Sequence, residues 1–309
     1  MTRASDPTCD PNTPTTFLFA YSNDFSADLV SNVWKYFDSH SISSHYVMLG
    51  NIRFDMRTKD DFRFYSDKRD VTGSIMAHQP DPSLGFNDRN TGSDVLDMID
   101  RYLDITIVPI CGSHLVILVK RYPNETKISQ LVSKMRYHHV TVNILSSYDA
   151  TGGYHPETLY ELALKTNGFC AFDNDSDMAE QIKQIPSVFN PYLVYAANPL
   201  VSGNEVVILP QMVVAADLYW FAMTIQDNGP LGVVDTALLQ WDTSDSLGTI
   251  NGHYYGKVSG NHAAGWRSVD VYLHNVTVTC NYKDTKTRRL QIRINSPDPV
   301  IDHWMPYDN

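Results

Sequence analysis

TPTTFLFAYSND, residues 13–24, is the stretch on which the fold turns. A run of strand-forming apolar residues, Phe17 to Tyr21, ends in a tip of small polar residues and one acid, Asp24. Helical spacing begins almost at once, with Leu29, Val33, Trp34 and Phe37 on one face of residues 26–39. A strand that carries polar residues to its tip and then hands over to a helix is the repeating unit of an α/β sheet. Such sheets bind ligands at those tips. Ser22 and Asp24 are therefore the first candidate site residues. They hold a metal, run a reaction, or do neither.

The same alternation continues downstream. Residues 43–54 supply one or two strands, and residues 55–90 are mixed and polar, ending in turn signals. Thr91 to Leu103 reads as an amphipathic helix, His114 to Val119 as a strand buried on both faces, and Thr126 to His138 as a helix. Val140 to Ser146 is a strand, and Pro156 to Thr166 a helix that opens on proline and stops at Asn167-Gly168. Phe169 to Phe172 is a short strand, followed by a last helix over Ser176 to Ile185. Short connections between alternating elements predict a mainly parallel sheet with helices on both faces.

Near Tyr195 the pattern changes to strands and turns alone. Residues 205–209, 217–226, 236–241, 253–258, 269–273, 276–280 and 288–294 all read as β, which predicts a β-sandwich. The expected organisation is an extended segment over 1–13, an α/β domain over 14–195 and a β-sandwich domain over 196–309.

Bulk properties narrow the function. Of 309 residues, 43% are apolar and 19% charged, the balance of a folded soluble chain. The net charge of −11 argues against nucleic acid as a partner, because phosphate binding needs a basic face. No apolar run reaches the roughly 20 residues that span a bilayer, so membrane insertion is not expected. The first residues, MTRASDPTCDPNTP, lack the apolar core of a signal peptide. Sequons at Asn124, Asn174 and Asn275, sparse lysine and four cysteines nevertheless suit a secreted glycoprotein whose signal peptide is absent from this chain; a cytosolic protein is the alternative. Cys9, Cys111, Cys170 and Cys280 permit three pairings and form no CxxC.

The stretches FLFAYSND (17–24), NTGSDVLDMI (90–99), HLVILVKRYPNET (114–126) and HPETLYELALKTNGFCAFDNDSD (155–177) carry a resemblance. Over about residues 14 to 190 the chain resembles the von Willebrand factor A domain, and more closely a diverged nematode extracellular type of it. The resemblance implies a divalent-metal site at the C-terminal end of the sheet. Its first loop has the form Asp-x-Ser-x-Ser, its second a threonine before a glycine and a helix, its third an aspartate after the fourth strand. Here the first loop has Ala20 at the aspartate position, Ser22 at the first serine and Asp24 at the second. Thr91 survives ahead of Gly92, and Lys120 stands where the third acid belongs. No acid occurs between Leu115 and Pro123, so a shift of register cannot repair it. Lys120 is expected to reach Asp24 and Thr91 and to neutralise them in place of a metal. The family's sheet order makes the first and fourth strands neighbours, which makes a Cys9–Cys111 bridge plausible. Cys170 with Cys280 would then tie the two halves together.

Other candidate chemistry is weak. Cys170 sits inside an apolar strand, where cysteine is a small core residue or half a disulfide. His138-His139 close a helix, and Asp173, Asp175 and Asp177 suit a solvated helix start. Patterns for nucleotide, zinc and serine-hydrolase chemistry are absent. The β half holds Tyr219, Trp220, Phe221, Trp241, Tyr254, Tyr255, Trp266 and Tyr272, some of them core by alternation. Trp266 falls in an expected loop and could stack on a sugar.

The expectation is a non-enzymatic extracellular protein without a cofactor. It binds a protein or glycan partner through Tyr21, Ser22, Asp24, Thr91, Lys120 and Arg121 on the top face. The resemblance points to nematode surface or pathogen-response biology. The alternative is a lectin-like protein acting through its β domain.

Overall fold

The computed structural model describes residues 8–185, 189–215, 217–228, 231–242, 247–253, 260–270 and 272–308. Tyr254 and Tyr255, and most of the strand expected over 253–258, lie outside the described residues.

The α/β half runs β1 (Thr15–Ser22), α1 (Ala27–Ser39), β2 (Tyr46–Phe54), β3 (Arg63–Tyr65), α2 (Lys68–Ala77), α3 (Val95–Leu103), β4 (His114–Val119), α4 (Ser129–Tyr137), β5 (Thr141–Ser147), α5 (Pro156–Lys165), β6 (Phe169–Asp173) and α6 (Met178–Gln181). Its six strands lie in the order β3-β2-β1-β4-β5-β6, parallel throughout except for β3 at one edge. β1 and β4 are buried along their whole length, which is why both read as unbroken apolar runs. Alternation sends Leu18, Ala20, Ile117 and Val119 to the side covered by α3, α4 and α5. Phe17, Phe19, Tyr21, Val116 and Leu118 face the side covered by α1, α2 and α6. The α/β architecture with helices on both faces is therefore the observed one.

Two elements were hidden in residues 55–90. β3 has three residues, all half-buried, so it carries no alternation signal. α2 buries only Val71, Ser74 and Ile75, and its start is marked by Asp67, which accepts from the Arg69 amide. Asp67 is thus a helix cap, with its side chain still partly exposed. The helix expected from Thr91 begins only at Val95.

The second half comprises β7 (Tyr192–Ala197), β8 (Leu200–Val201), β9 (Asn204–Val214), β10 (Asp217–Thr224), β11 (Val234–Asp242), β12 (Leu247–His253), β13 (His262–Val269), β14 (Tyr272–Tyr282), β15 (Arg288–Arg289) and β16 (Ile292–Ser296). Two four-stranded antiparallel sheets, β13-β10-β16-β7 and β12-β11-β14-β9, face each other across one apolar core. Phe221 and Trp241 stack across that core with ring centroids 4.1 Å apart. This is the expected all-β half, with two corrections. β7 starts at Tyr192 and pairs with β16, so the architecture changes before residue 195. Residues 262–269 are a strand, not a loop: Trp266 pairs with Trp220, and Ala264 with Ala222. Alanine and glycine give that segment little β propensity, but small side chains let it lie close against the α/β half, where Ala264 packs.

The seam explains how the halves fit. β6 is an edge strand with backbone groups to satisfy. Gln291 accepts from the Cys170 amide (2.7 Å) and Asn261 from the Phe172 amide (2.9 Å). Arg293, 1% exposed, donates Nε to the carbonyls of Asn167 and Gly168 at the start of β6. Cys170 lies in the core under α5 and Cys280 in the sandwich core, both as free thiols, so the expected bridge between the halves does not form. Cys9 and Cys111 do form a disulfide, with Cα atoms 5.5 Å apart. The C-terminal segment returns beneath it: Trp304 donates to the Cys9 carbonyl (2.9 Å) and stacks on His139 (4.3 Å).

Candidate functional site

An open α/β sheet has its crevice where neighbouring strands send their connections in opposite directions, at the carboxyl ends. Here that point lies between β1 and β4. Asp24, just past β1, accepts from Arg121 Nε (2.9 Å) and from the Thr151 hydroxyl. Arg121, 3% exposed, also donates to the carbonyls of Asp88 (2.8 Å) and Thr91 (2.7 Å), and its guanidinium lies over the Phe86 ring at 5.4 Å. One arginine thus ties together the loops after β1 and β4 and the loop before α3. The loop after β5 closes in at Gly152-Gly153, where a side chain would collide with Arg121 and with the Tyr122 carbonyl.

A second cluster lies deeper. Asp55, immediately after β2 and fully buried, accepts from Ser22 (2.5 Å) and Ser93 (2.6 Å). Asp94 also accepts from the Asp55 amide (2.7 Å), and Asp55 from the Asp94 amide (3.2 Å). Burial, then the negative charge of Asp94, pushes the Asp55 carboxyl up to about 8, against the hydrogen bonds from Ser22 and Ser93 that favour its charged form. Burial raises Asp94 as well. Because the folded-state value lies above the unfolded one, stability is greatest below about pH 4 for this group and is lost as pH rises towards 8. Asp55→Asn is therefore expected to flatten the alkaline fall in stability, measured by urea denaturation at pH 5 and pH 9. An unchanged pH profile in the variant would contradict the assignment.

The expected pairing of Lys120 is not the one found. Its ammonium meets Asp175 (2.7 Å) and the Ser147 hydroxyl (3.1 Å), away from Asp24, while Thr91 donates to Asp88 (2.7 Å). Successive residues at a strand end point to opposite sides, so Lys120 and Arg121 divide between two sites, and Arg121 takes Asp24. Asp175 is accordingly an ion-pair partner rather than a solvated helix-start acid. Ala20 lies in the core, and the Tyr21 hydroxyl donates to the His78 carbonyl. Tyr21, Ser22, Lys120 and Arg121 are buried, so they shape the top face without meeting a partner there. Pro82, Asn87, Asp88 and Arg89 are exposed on the cleft lining, and the exposed Tyr154 donates to Asn90, the residue after Arg89.

Asp55, Ser93, Asp94 and Thr151 belong to these clusters without being among the expected site residues. Asp55 had a usable signal: it follows a strand end as Ser22 does. The cleft itself holds about 300 Å³ and is lined by Asn23, Asp24, Phe86, Asp88, Arg89, Arg121 and Thr151, among others. Among the described residues no group of three His, Cys, Asp or Glu side chains is disposed to hold a metal ion, and no helix is long and apolar enough to cross a membrane.

The remaining candidates disperse over the molecule. Cys170 is fully buried and its thiol is pushed well above the ordinary range by desolvation, the opposite of what a nucleophile needs. Trp266 is 40% exposed and borders a groove with Tyr36, His40, Phe189 and Trp220 between the two halves. Asn124, Asn174 and Asn275 are all exposed.

Comparison with known proteins adds little to this. A family profile described as a domain of unknown function, DUF7154, matches residues 197–297, less than half of the chain. No curated protein matches. Similar solved structures include a von Willebrand factor type A protein from Catenulispora acidiphila, 11% identical over 94% of this chain and 59% of that one, with a TM-score of 0.40. Proximal thread matrix protein 1 from the mussel byssus is 11% identical over 62% of this chain and 50% of its own, with a TM-score of 0.42. BatB from Bacteroides thetaiotaomicron is 12% identical over 55% of this chain and 98% of its own, with a TM-score of 0.34. The chain spans 59% and 50% of the first two. At such identities and scores the likeness carries no weight beyond the strand order already described.

Proposed function

We propose that this chain is a non-enzymatic extracellular interaction protein that docks a protein partner on the loops at the carboxyl end of its α/β sheet, without a metal ion. The observation that carries the proposal is the Arg121–Asp24 pair. Arg121 Nε lies 2.9 Å from the Asp24 carboxylate, so a cation bound to that carboxylate would stand beside a guanidinium, and like charges so placed in a buried setting repel strongly. The surface above offers Arg89 and Tyr154 among Asn87, Asp88 and Asn90, the residue types that anchor protein interfaces. The Cys9–Cys111 disulfide suits an oxidising compartment. In the nematode setting suggested by the resemblance, the role would lie at a body surface or in a response to pathogens.

Proximity labelling by the secreted wild-type protein, beside an Arg89→Glu, Tyr154→Ala variant, tests this. Proteins labelled by the wild type should be missing from the variant and still labelled in the presence of EDTA. Identical labelling by both proteins, or loss of labelling on chelation, would overturn the reading. The groove at Trp266 supports a second reading, glycan binding by the β half. A glycan-array signal abolished by Trp266→Ala and kept by the top-face variant would favour it.

A further inference from the structure

We infer that Asn275 carries an N-linked glycan whose inner sugars cover an exposed apolar strip formed by Ile208, Val213 and Leu273. The inference rests on the extracellular reading above.

The strip is set by register. β9 is the edge strand of its sheet, beside β14. On β14, alternation turns Leu273, Asn275 and Thr277 outward. Leu273 pairs with Val213 and Thr277 with Ile208, while β9 carries one extra residue opposite Asn275, so that Pro210 and Gln211 both stand outward there. Ile208 is 82% exposed, Val213 70% and Leu273 51%. The outward side chains along this part of β9 and β14 are Val, Ile, Pro, Gln, Leu, Asn and Thr, without a charge; the nearest charge on this face is Asp242, which pairs with Asn275 from β11, on the side away from β9. An uncharged aliphatic strip on an edge strand invites sheet-to-sheet association unless something covers it.

Asn275 stands in the middle of the strip and in a sequon with Thr277. Gln211 donates to its amide oxygen (3.0 Å), which holds the carboxamide and leaves the nitrogen directed away from that bond. Asn124 differs, because its own amide nitrogen donates to the Asn90 carbonyl (2.7 Å) and a sugar there would disturb that bond. Asn174 lies between Asp173 and Asp175, in a charged setting. A pyranose ring presents a face of C–H groups, and such a face suits Leu273, Val213 and Ile208 on either side of Asn275.

The modification is a group transfer. The Asn275 amide nitrogen forms a bond to the anomeric carbon of an oligosaccharide carried on a lipid diphosphate. The bond from that carbon to the phosphate oxygen breaks, the lipid diphosphate leaves with the electron pair, and the amide nitrogen releases one proton to a base of the transferase.

The full chain, directed into the secretory pathway of cultured eukaryotic cells, provides the test alongside Asn275→Gln and Thr277→Ala. Glycopeptide mass spectrometry should find a glycan on Asn275 in the wild type and lose it in both variants. Enzymatic removal of the glycan should raise the fluorescence of a dye that binds exposed apolar surface at least twofold and promote self-association. Adding Val213→Ser and Leu273→Ser to Asn275→Gln should reverse both changes. If Asn124 or Asn174 is modified and Asn275 is bare, the inference fails and the extracellular reading stands. If Cys9 and Cys111 remain reduced and no sequon is modified, both fall. A glycan on Asn275 whose removal changes neither dye binding nor self-association overturns the covering role.

Discussion

Replacing Arg121 by alanine is expected to lower the unfolding free energy by about 3–5 kcal/mol, as for a buried ion pair broken from one side. The side chain is 3% exposed and that of its partner Asp24 10%. Its removal leaves Asp24 with the Thr151 hydroxyl alone among the partners described above, and strips a donor from the carbonyls of Asp88 and Thr91. Arg121→Lys should restore only part of the loss, because an ammonium cannot supply the planar fork that serves Asp24 and two carbonyls together. Urea denaturation of the two variants checks both statements. A loss below about 1 kcal/mol in Arg121→Ala, the range of exposed pairs, would mean that the top face is not held by this residue.

Loss of the disulfide should cost a similar amount. Cys9 and Cys111 are 102 residues apart, and closing a loop of that size removes unfolded-chain entropy worth about 4–5 kcal/mol. The bridge also fixes the segment whose Cys9 carbonyl receives Trp304, so the C-terminal strap is expected to loosen with it. Thermal unfolding of the Cys9→Ser, Cys111→Ser variant, or of wild type under reductant, should show a melting temperature lower by on the order of 10 °C. Native Cys170 and Cys280 should resist alkylation throughout, being buried thiols in separate cores. Coincident melting curves with and without the bridge would mean that the disulfide does not stabilise the fold.

The sequence made the sheet legible because its central strands are buried on both sides. β1 and β4 are continuous apolar runs, and α1 and α3 show one clean apolar face each. What escaped were elements whose identity comes from their neighbours. β13 is rich in alanine and glycine and becomes a strand by pairing with β10 and lying against the α/β half. α2 has only a three-residue buried stripe. The site was half legible for a similar reason. Ser22, Asp24 and Thr91 stand near the crevice, yet which cation answers Asp24 depends on which way a side chain leaves the end of β4. Lys120 and Arg121 are adjacent in sequence and serve different acids, Asp175 and Asp24. Asp55 carries the signal of a strand end, but that Ser22 and Ser93, distant along the chain, converge on it is set by the sheet and not by the local sequence.

The central claim is that the protein's own cation occupies the place beside Asp24. The most direct measurement is the melting temperature of the wild-type protein in EDTA and with millimolar calcium, magnesium or manganese. Coincident transitions are expected under all four conditions. A rise of several degrees with any of the three ions, lost in Asp24→Asn, would contradict the claim.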